Sequence, residues 1–324
     1  MNLRVEMPPG PVVSIIIPCK EIDDYARECV KHCRQLDYGS YQIVLLPDYA
    51  QDKMDGVTVV PTGPVTPGAK RNIGIANSSS EFCAFIDSDA YPRGDWLSKA
   101  VKYFEDPQIA AVGGPGLTPE KDGFMQRASG YILSSFMVGN ISGRYKTTRI
   151  SESDDIHSCN FIVRRSALKE AGGWNERYWP GEDTLICLSI KKSGKKLIEA
   201  SDVIVYHHRR PLFGPHLRQV SRFGEHRGFF ARMFPENSFK LTYFVPSLLV
   251  LFLLAGVLAS FAYPFFGDIL LLAIATYLVL CLIAASLEVK EAKMLLSVWL
   301  GILATHIVYG LSFLAGFAKR DLRI

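Results

Sequence analysis

The 324-residue chain has no C-x-x-C pair, no large excess of either charge, no internal repeat and no low-complexity tract. Its seven cysteines are scattered at positions 19, 29, 33, 83, 159, 187 and 281, most of them inside apolar patterns. Neither a metal nor a redox role is expected of them; they read as buried, reduced thiols of a cytosolic domain. A formal net charge of +4 is too mild to point to nucleic acid. The first residues lack a charged segment followed by an apolar core, so no cleavable signal peptide is expected.

What the chain does have is an uneven distribution of apolar residues. Residues 1 to about 240 read as a globular α/β domain, whereas 241–317 are mostly apolar. Three stretches, 241–262, 268–287 and 294–317, each approach the ~20 residues that cross a bilayer as a helix, and three spans are expected. Between Tyr206 and Lys240 there are seven Lys/Arg against two acids, a composition drawn to anionic headgroups on a cytoplasmic face. The turn at 263–267 carries no Lys or Arg and belongs outside, while Glu288–Lys293 carries two lysines and belongs inside. Three spans then place the basic tail Lys319-Arg320 outside, against that rule.

The globular part is organised around Phe82-Cys83-Ala84-Phe85-Ile86-Asp87-Ser88-Asp89. The apolar run predicts a buried strand, and its carboxyl end carries two acids, where open α/β sheets place their ligands. Two carboxylates that close call for a cation, and hard oxygen ligands select Mg²⁺ or Mn²⁺, which would hold a diphosphate. A solvated acidic turn is the plainer alternative.

Upstream, Val12–Pro18 predicts a buried first strand, followed by a helix capped by Asp23 or Asp24 with Tyr25, Cys29, Cys33 and Leu36 as its apolar stripe. Tyr41–Leu46 and Val57–Val60 predict further strands. The Gly/Pro-rich loop from Thr62 leads into a helix whose first turn carries Lys70 and Arg71, a setting that favours anions. Downstream, helices are expected at 96–104, 123–138, 165–171 and 184–192. Strands are expected at 109–112, 161–163 and 197–206. The loop at 140–156, with Gly139 and Gly143 nearby, reads equally as an acceptor lid or as disorder.

Together these residues resemble a family-two glycosyltransferase of the GT-A fold, membrane-attached through its C-terminus. The resemblance covers about residues 12–225. It rests on the order of Ile16-Ile17-Pro18 with Glu21, Asp48, Gly68-Ala69-Lys70-Arg71-Asn72-Ile73-Gly74 and Asp87-Ser88-Asp89, followed by Asn160 with Arg164-Arg165, Gly172-Gly173-Trp174, Gly181-Glu182-Asp183 and Gln219-Val220-Ser221-Arg222-Phe223.

The resemblance implies a GT-A catalytic domain over 1–205, basic interface helices over 206–240 and a transmembrane domain over 241–324. It implies that Asp87 and Asp89 serve the metal and the nucleotide sugar, that Asp48 reads the base, and that Pro18 and Glu21 frame the nucleoside pocket. Pro47 stands where the family often has a second acid. Lys70 and Arg71 match the basic group near the diphosphate. Glu182-Asp183 matches the motif that supplies the catalytic base; Asp183 is the expected base and Glu182 its rival. His207 or His208 could complete a Mn²⁺ shell or contact a diphosphate. Gln219 and Arg222, one helical turn apart, match the Q-x-x-R-W motif of membrane synthases such as cellulose synthase, with Phe223 in place of its Trp.

The function so implied is metal-dependent, inverting transfer of mannose or glucose from a GDP- or UDP-linked donor to a lipid-linked acceptor, at the cytoplasmic face of the cell membrane. A processive synthase and a non-catalytic nucleotide-sugar-binding scaffold are the alternatives.

Overall fold

Three successive isoleucines, Ile15, Ile16 and Ile17, give the first strand two apolar faces, and all three are fully buried. The computed structural model describes residues 12–51, 53–139, 144–146 and 149–322. The chain forms two compact units, Met1–Leu117 with Lys146–His207, and Thr118–Tyr145 with His208–Ile324.

In the first unit β1 (Val13–Pro18) is followed by α1 (Asp24–Cys33), β2 (Tyr41–Leu46), β3 (Val57–Val59) and α2 (Pro67–Ala76). Then come β4 (Phe82–Phe85), β5 (Ala90–Pro92), α3 (Trp96–Tyr103), β6 (Ile109–Gly113) and β7 (Gly116–Leu117). The chain enters the second unit for α4 (Phe124–Ser134) and returns with β8 (Ser151–Glu152), β9 (Phe161–Arg164) and α5 (Arg165–Glu170). The unit ends with α6 (Glu182–Lys192), β10 (Lys196–Glu199) and β11 (Val205–His207).

Eight strands form one sheet in the order β3-β2-β1-β4-β9-β6-β10-β8. β1 pairs in parallel with both β2 and β4, Ile15 lying opposite Ile43 and Ala84. β9 runs antiparallel between β4 and β6. The parallel register brings the carboxyl ends of β1, β2 and β4 to one edge, where the residues around Pro18, Asp48 and Asp87 lie. A small second sheet, β5-β11-β7, follows the acidic turn. Asp23 caps α1 by accepting from the Ala26 amide at 2.9 Å.

Three expectations are corrected. The run 197–206 is two strands in different sheets, because the chain turns where Val203 N–H donates to the Ala200 carbonyl at 3.1 Å. The helix expected from residue 184 starts at Glu182, straight after Gly181, whose φ of 114° turns the chain into it. The helix expected to reach 138 stops at Ser134, where Ser135 turns extended. Of the 140–156 loop, residues 140–143 and 147–148 lie outside the described residues; 151–152 form β8.

The second unit holds α4, α7 (Gly214–Met233), α8 (Pro235–Ser238), α9 (Leu241–Ala262), α10 (Pro264–Glu288) and α11 (Ala292–Ala318). The last three are long and apolar enough to cross a membrane. α7 lies against α11 so closely that a Cβ at Gly228 would collide with the Phe313 carbonyl. On the same face His216, fully buried, sits 3.0 Å from the Thr305 hydroxyl.

Burial lowers the His216 imidazole to about 4, because the charged ring loses its water. The unfolded chain therefore takes up this proton before the folded one does. The stability that His216 contributes is present above its unfolded value of about 6.5 and is lost as pH falls from there toward 4, by about 3 kcal/mol in all. His216→Gln is expected to flatten the dependence of stability on pH over that window, read by denaturation of detergent-purified protein between pH 4 and 7. An unchanged slope would sink the assignment.

Candidate active site

At the carboxyl edge of the large sheet, Arg71 is the central group. It projects from α2, held at its start by Thr66, whose hydroxyl caps the Ala69 amide. Its guanidinium is buried, 2% exposed, and donates to Glu182 Oε1 at 2.7 Å, Asp87 Oδ1 at 2.9 Å and Ser158 Oγ at 2.9 Å. The Trp174 ring lies 4.8 Å from it, closing the apolar side. Burial works against its charge, but Asp87 and Glu182 outweigh this and raise its pKa further. Burial pushes the Glu182 carboxyl up to about 7, and the opposing pull of Arg71 offsets only part of this.

Asp183 follows Glu182 in the first turn of α6, half-buried, with Oδ1 accepting from the Thr184 amide at 2.8 Å. The two neighbours thus differ in role: Glu182 is bound to arginine, and Asp183 accepts from the backbone of the first turn.

Asp87, Asp89 and His207 each offer one ligand atom, and these atoms all lie within 4.8 Å of one another. His207 Nε2 is 3.2 Å from Asp89 Oδ1. Burial lowers the His207 pKa, but Cys159 and Asp89 lift it to about 10. Cys159 shows the reverse balance, raised by burial yet brought down to about 6 by His157 and His207. Two carboxylates and an imidazole, with ligand atoms this close, fit a divalent cation that accepts mixed oxygen and nitrogen donors.

The other expected residues are placed as follows. Pro18 ends β1 and is buried, and Glu21 is exposed. Asp48 pairs with Lys70, whose ammonium also donates to the Cys19 and Leu46 carbonyls at 2.6 and 3.2 Å. All three of its protons are used, so Lys70 clasps the ends of β1 and β2. His207 and His208 part company: His208 belongs to the second unit, where its Nδ1 meets Asp122. Gln219 and Arg222 are also in that unit, on α7, half-buried and exposed respectively. Ser158 and Trp174, both on Arg71, are site residues that sequence reasoning misses. Nothing local marks Ser158, while Trp174 sits in a motif whose side-chain role only tertiary contact reveals.

This sheet, with paired aspartates at its edge and a carboxylate-bound arginine beside them, defines a GT-A type of α/β domain, joined here to an apolar helical unit. Residues 14–172 match the family described as glycosyl transferase family 2, and the chain carries a glycosyltransferase domain of that family. The pre-mycofactocin glycosyltransferase of Mycobacterium tuberculosis is 28% identical over 216 residues, 63% of this chain and 45% of that protein. The chain thus spans about half the length of that relative. The dolichyl N-acetyl-alpha-D-glucosaminyl phosphate 3-beta-D-2,3-diacetamido-2,3-dideoxy-beta-D-glucuronosyltransferase of Methanococcus voltae is 22% identical over 255 residues, 68% of this chain and 74% of that one. Among solved structures, a mannosyltransferase of Pyrobaculum calidifontis in complex with GDP-Man and Mn²⁺ superimposes with a TM-score of 0.64 at 18% identity. It covers 94% of this chain and 87% of its own. At that identity the likeness concerns the fold.

Proposed function

We propose that the protein transfers a sugar, mannose or glucose, from a nucleotide-diphosphate donor to a lipid-linked acceptor at the cytoplasmic membrane face, with inversion and with a divalent metal. The observation that carries this reading is the convergence of Asp87, Asp89 and His207 beside an Arg71 already bound to Asp87 and Glu182. Asp87, Asp89 and His207 would hold Mn²⁺ or Mg²⁺, and the imidazole favours Mn²⁺. The bound ion would supply positive charge against the departing diphosphate.

Asp183 takes the acceptor's proton as the acceptor attacks the anomeric carbon. Arg71 adds a fixed positive charge near the leaving group and costs no reorganisation there, since Glu182, Ser158 and Trp174 already hold it. The three apolar helices motivate a lipid acceptor, and the relative named for a dolichyl phosphate substrate supports that class. The basic stretch Tyr206–Lys240 supports the cytoplasmic face.

The test is a thermal-shift panel of detergent-purified protein with GDP, UDP, CDP and dTDP, each with and without Mn²⁺. A nucleotide at about 100 times its Kd is expected to stabilise by about 2.7 kcal/mol, and only with metal. His207→Ala should remove the metal-dependent part. With Mn²⁺, a donor panel and polyprenyl or dolichyl phosphate, a glycolipid product is expected; none from any pair would reject the reading.

A further inference from the structure

The contacts among α9, α10 and α11 have a directional pattern that three spans cannot satisfy. α9 and α10 are joined through Tyr263 alone, and a Cβ at Gly256 would meet Leu270, so they run antiparallel. On α10 and α11, the Leu278 carbonyl accepts from Trp299 Nε1 at 3.0 Å, and Val289 shares a buried cluster with Met294 near their junction. These two helices are antiparallel as well. On α9 and α11, Ser247 Oγ donates to the Gly310 carbonyl at 3.1 Å. Phe244, earlier in α9, packs on Phe313 and Phe317, later in α11, at 4.8 and 6.1 Å. That pair is antiparallel too. Helices standing along a bilayer normal point only up or down, so among three of them at least two must be parallel. One of these helices therefore lies across the others.

Burial identifies which. α9 and α10 expose apolar side chains widely, with Phe261 at 84% and Leu272 at 70%. α11 is more covered than either, although Leu296 and Leu311 stay exposed. α4 packs on its first half, where a Cβ at Gly301 would strike Ile132. α7 runs along its second half, with His216 on Thr305, Ser221 on Ser312 and Arg232 on the Lys319 carbonyl. The outer face of α7 exposes Arg218, Arg222 and Arg232. Charged heads spaced along the flank of α11 are not accommodated at hydrocarbon depth.

We infer that the chain crosses the bilayer twice, as the α9–α10 hairpin, and that α11 lies in the headgroup region across the base of that hairpin. At about 1.5 Å per residue the two arms, of 22 and 25 residues, are long enough for the ~30 Å hydrocarbon core. The parts between the turn and the α11 contacts at Ser247 and Leu278 span roughly 22 Å, which sets α11 at the inner border of the headgroup region. With two crossings, Lys319 and Arg320 return to the side of Arg232 and Lys240, joined there by Lys290 and Lys293. The turn without Lys or Arg stands alone on the other side, and the conflict with the positive-inside pattern disappears.

The seven native cysteines are buried, so single added cysteines can be labelled over a low background. Glu236→Cys, Phe265→Cys and Arg320→Cys, each in the full chain, would be treated with a membrane-impermeant maleimide before and after permeabilisation. Glu236→Cys and Arg320→Cys are expected to label together, and Phe265→Cys on the opposite condition. Arg320→Cys labelling together with Phe265→Cys would establish an odd number of crossings and overturn the inference. All three labelling alike before permeabilisation would overturn bilayer insertion itself. Protease protection of a tag placed after Ile324, needing no internal substitution, should give the same sidedness as Glu236→Cys; the opposite sidedness overturns the inference.

Discussion

Asp183→Asn is expected to lower kcat by about 10²–10⁴-fold, the usual worth of a positioned general base, while leaving the metal-dependent nucleotide shift intact. Asp183 is a half-buried carboxylate that accepts from the next amide, and its neighbour Glu182 is committed to Arg71. Asparagine keeps the shape and the acceptor oxygen, so α6 should form unchanged. Glu182→Gln, by contrast, should weaken both donor binding and catalysis, because it loosens the arginine. The size of the first loss also reports on the acceptor. A hydroxyl must give up a proton on attack and needs the base. An ionised phosphate does not, so a loss below about tenfold would leave Asp183 as a group that orients the acceptor. Steady-state kinetics with a sugar-bearing lipid and with a lipid phosphate separate the two.

The elements read well from sequence are those whose own residues decide them. β1, β2 and β4 are continuous apolar runs bounded by turn residues, and each lies within a residue or two of its expected span. The cap at Asp23 is legible because side-chain capping is a local act. β5, β7 and β11 are not, since strands of two or three residues have no period to detect. They exist because β11 pairs with the other two across long stretches of chain. The split of 197–206 has the same origin: its halves are alike in composition, and only their partners differ.

For the candidate site, the sequence indicates which residues carry charge but not which charge each one meets. Asp87 and Asp89 lie at the expected edge, and His207 joins them. Lys70 and Arg71 look equivalent as adjacent cations. The helix turns them about 100° apart, which sends Lys70 to Asp48 and Arg71 to Glu182, 111 residues away. His207 and His208 divide similarly, one toward Asp89 and the other toward Asp122. Neighbouring residues of one type are assigned by backbone geometry, which residue identity does not contain.

That division makes Arg71 the position with the largest expected effect on stability. Arg71→Met removes the cation from Glu182, whose side chain is only 5% exposed, and breaking such a pair costs about 3–5 kcal/mol. Asp87 suffers less, because its side chain is 31% exposed and water can replace the arginine. The penalty should depend on pH in a definite sense. Burial already raises the folded Glu182 carboxyl to about 7 with Arg71 in place; without Arg71 it acts unopposed and raises it further. A raised pKa means stability that is present at low pH and lost as pH rises through it. The gap between Arg71→Met and the parent should therefore stay constant up to about pH 7, where Glu182 is protonated in both folded proteins, and widen above it, so that it is larger at about pH 9 than at about pH 6. Adding Glu182→Gln to Arg71→Met removes the stranded charge, so the double variant should regain much of the lost stability and lose the pH dependence, yet remain inactive. Denaturation curves for the four proteins at the two pH values measure this. Equal gaps at both would mean that Glu182 finds another cation or water in the folded protein, and that Arg71 is not what holds its charge.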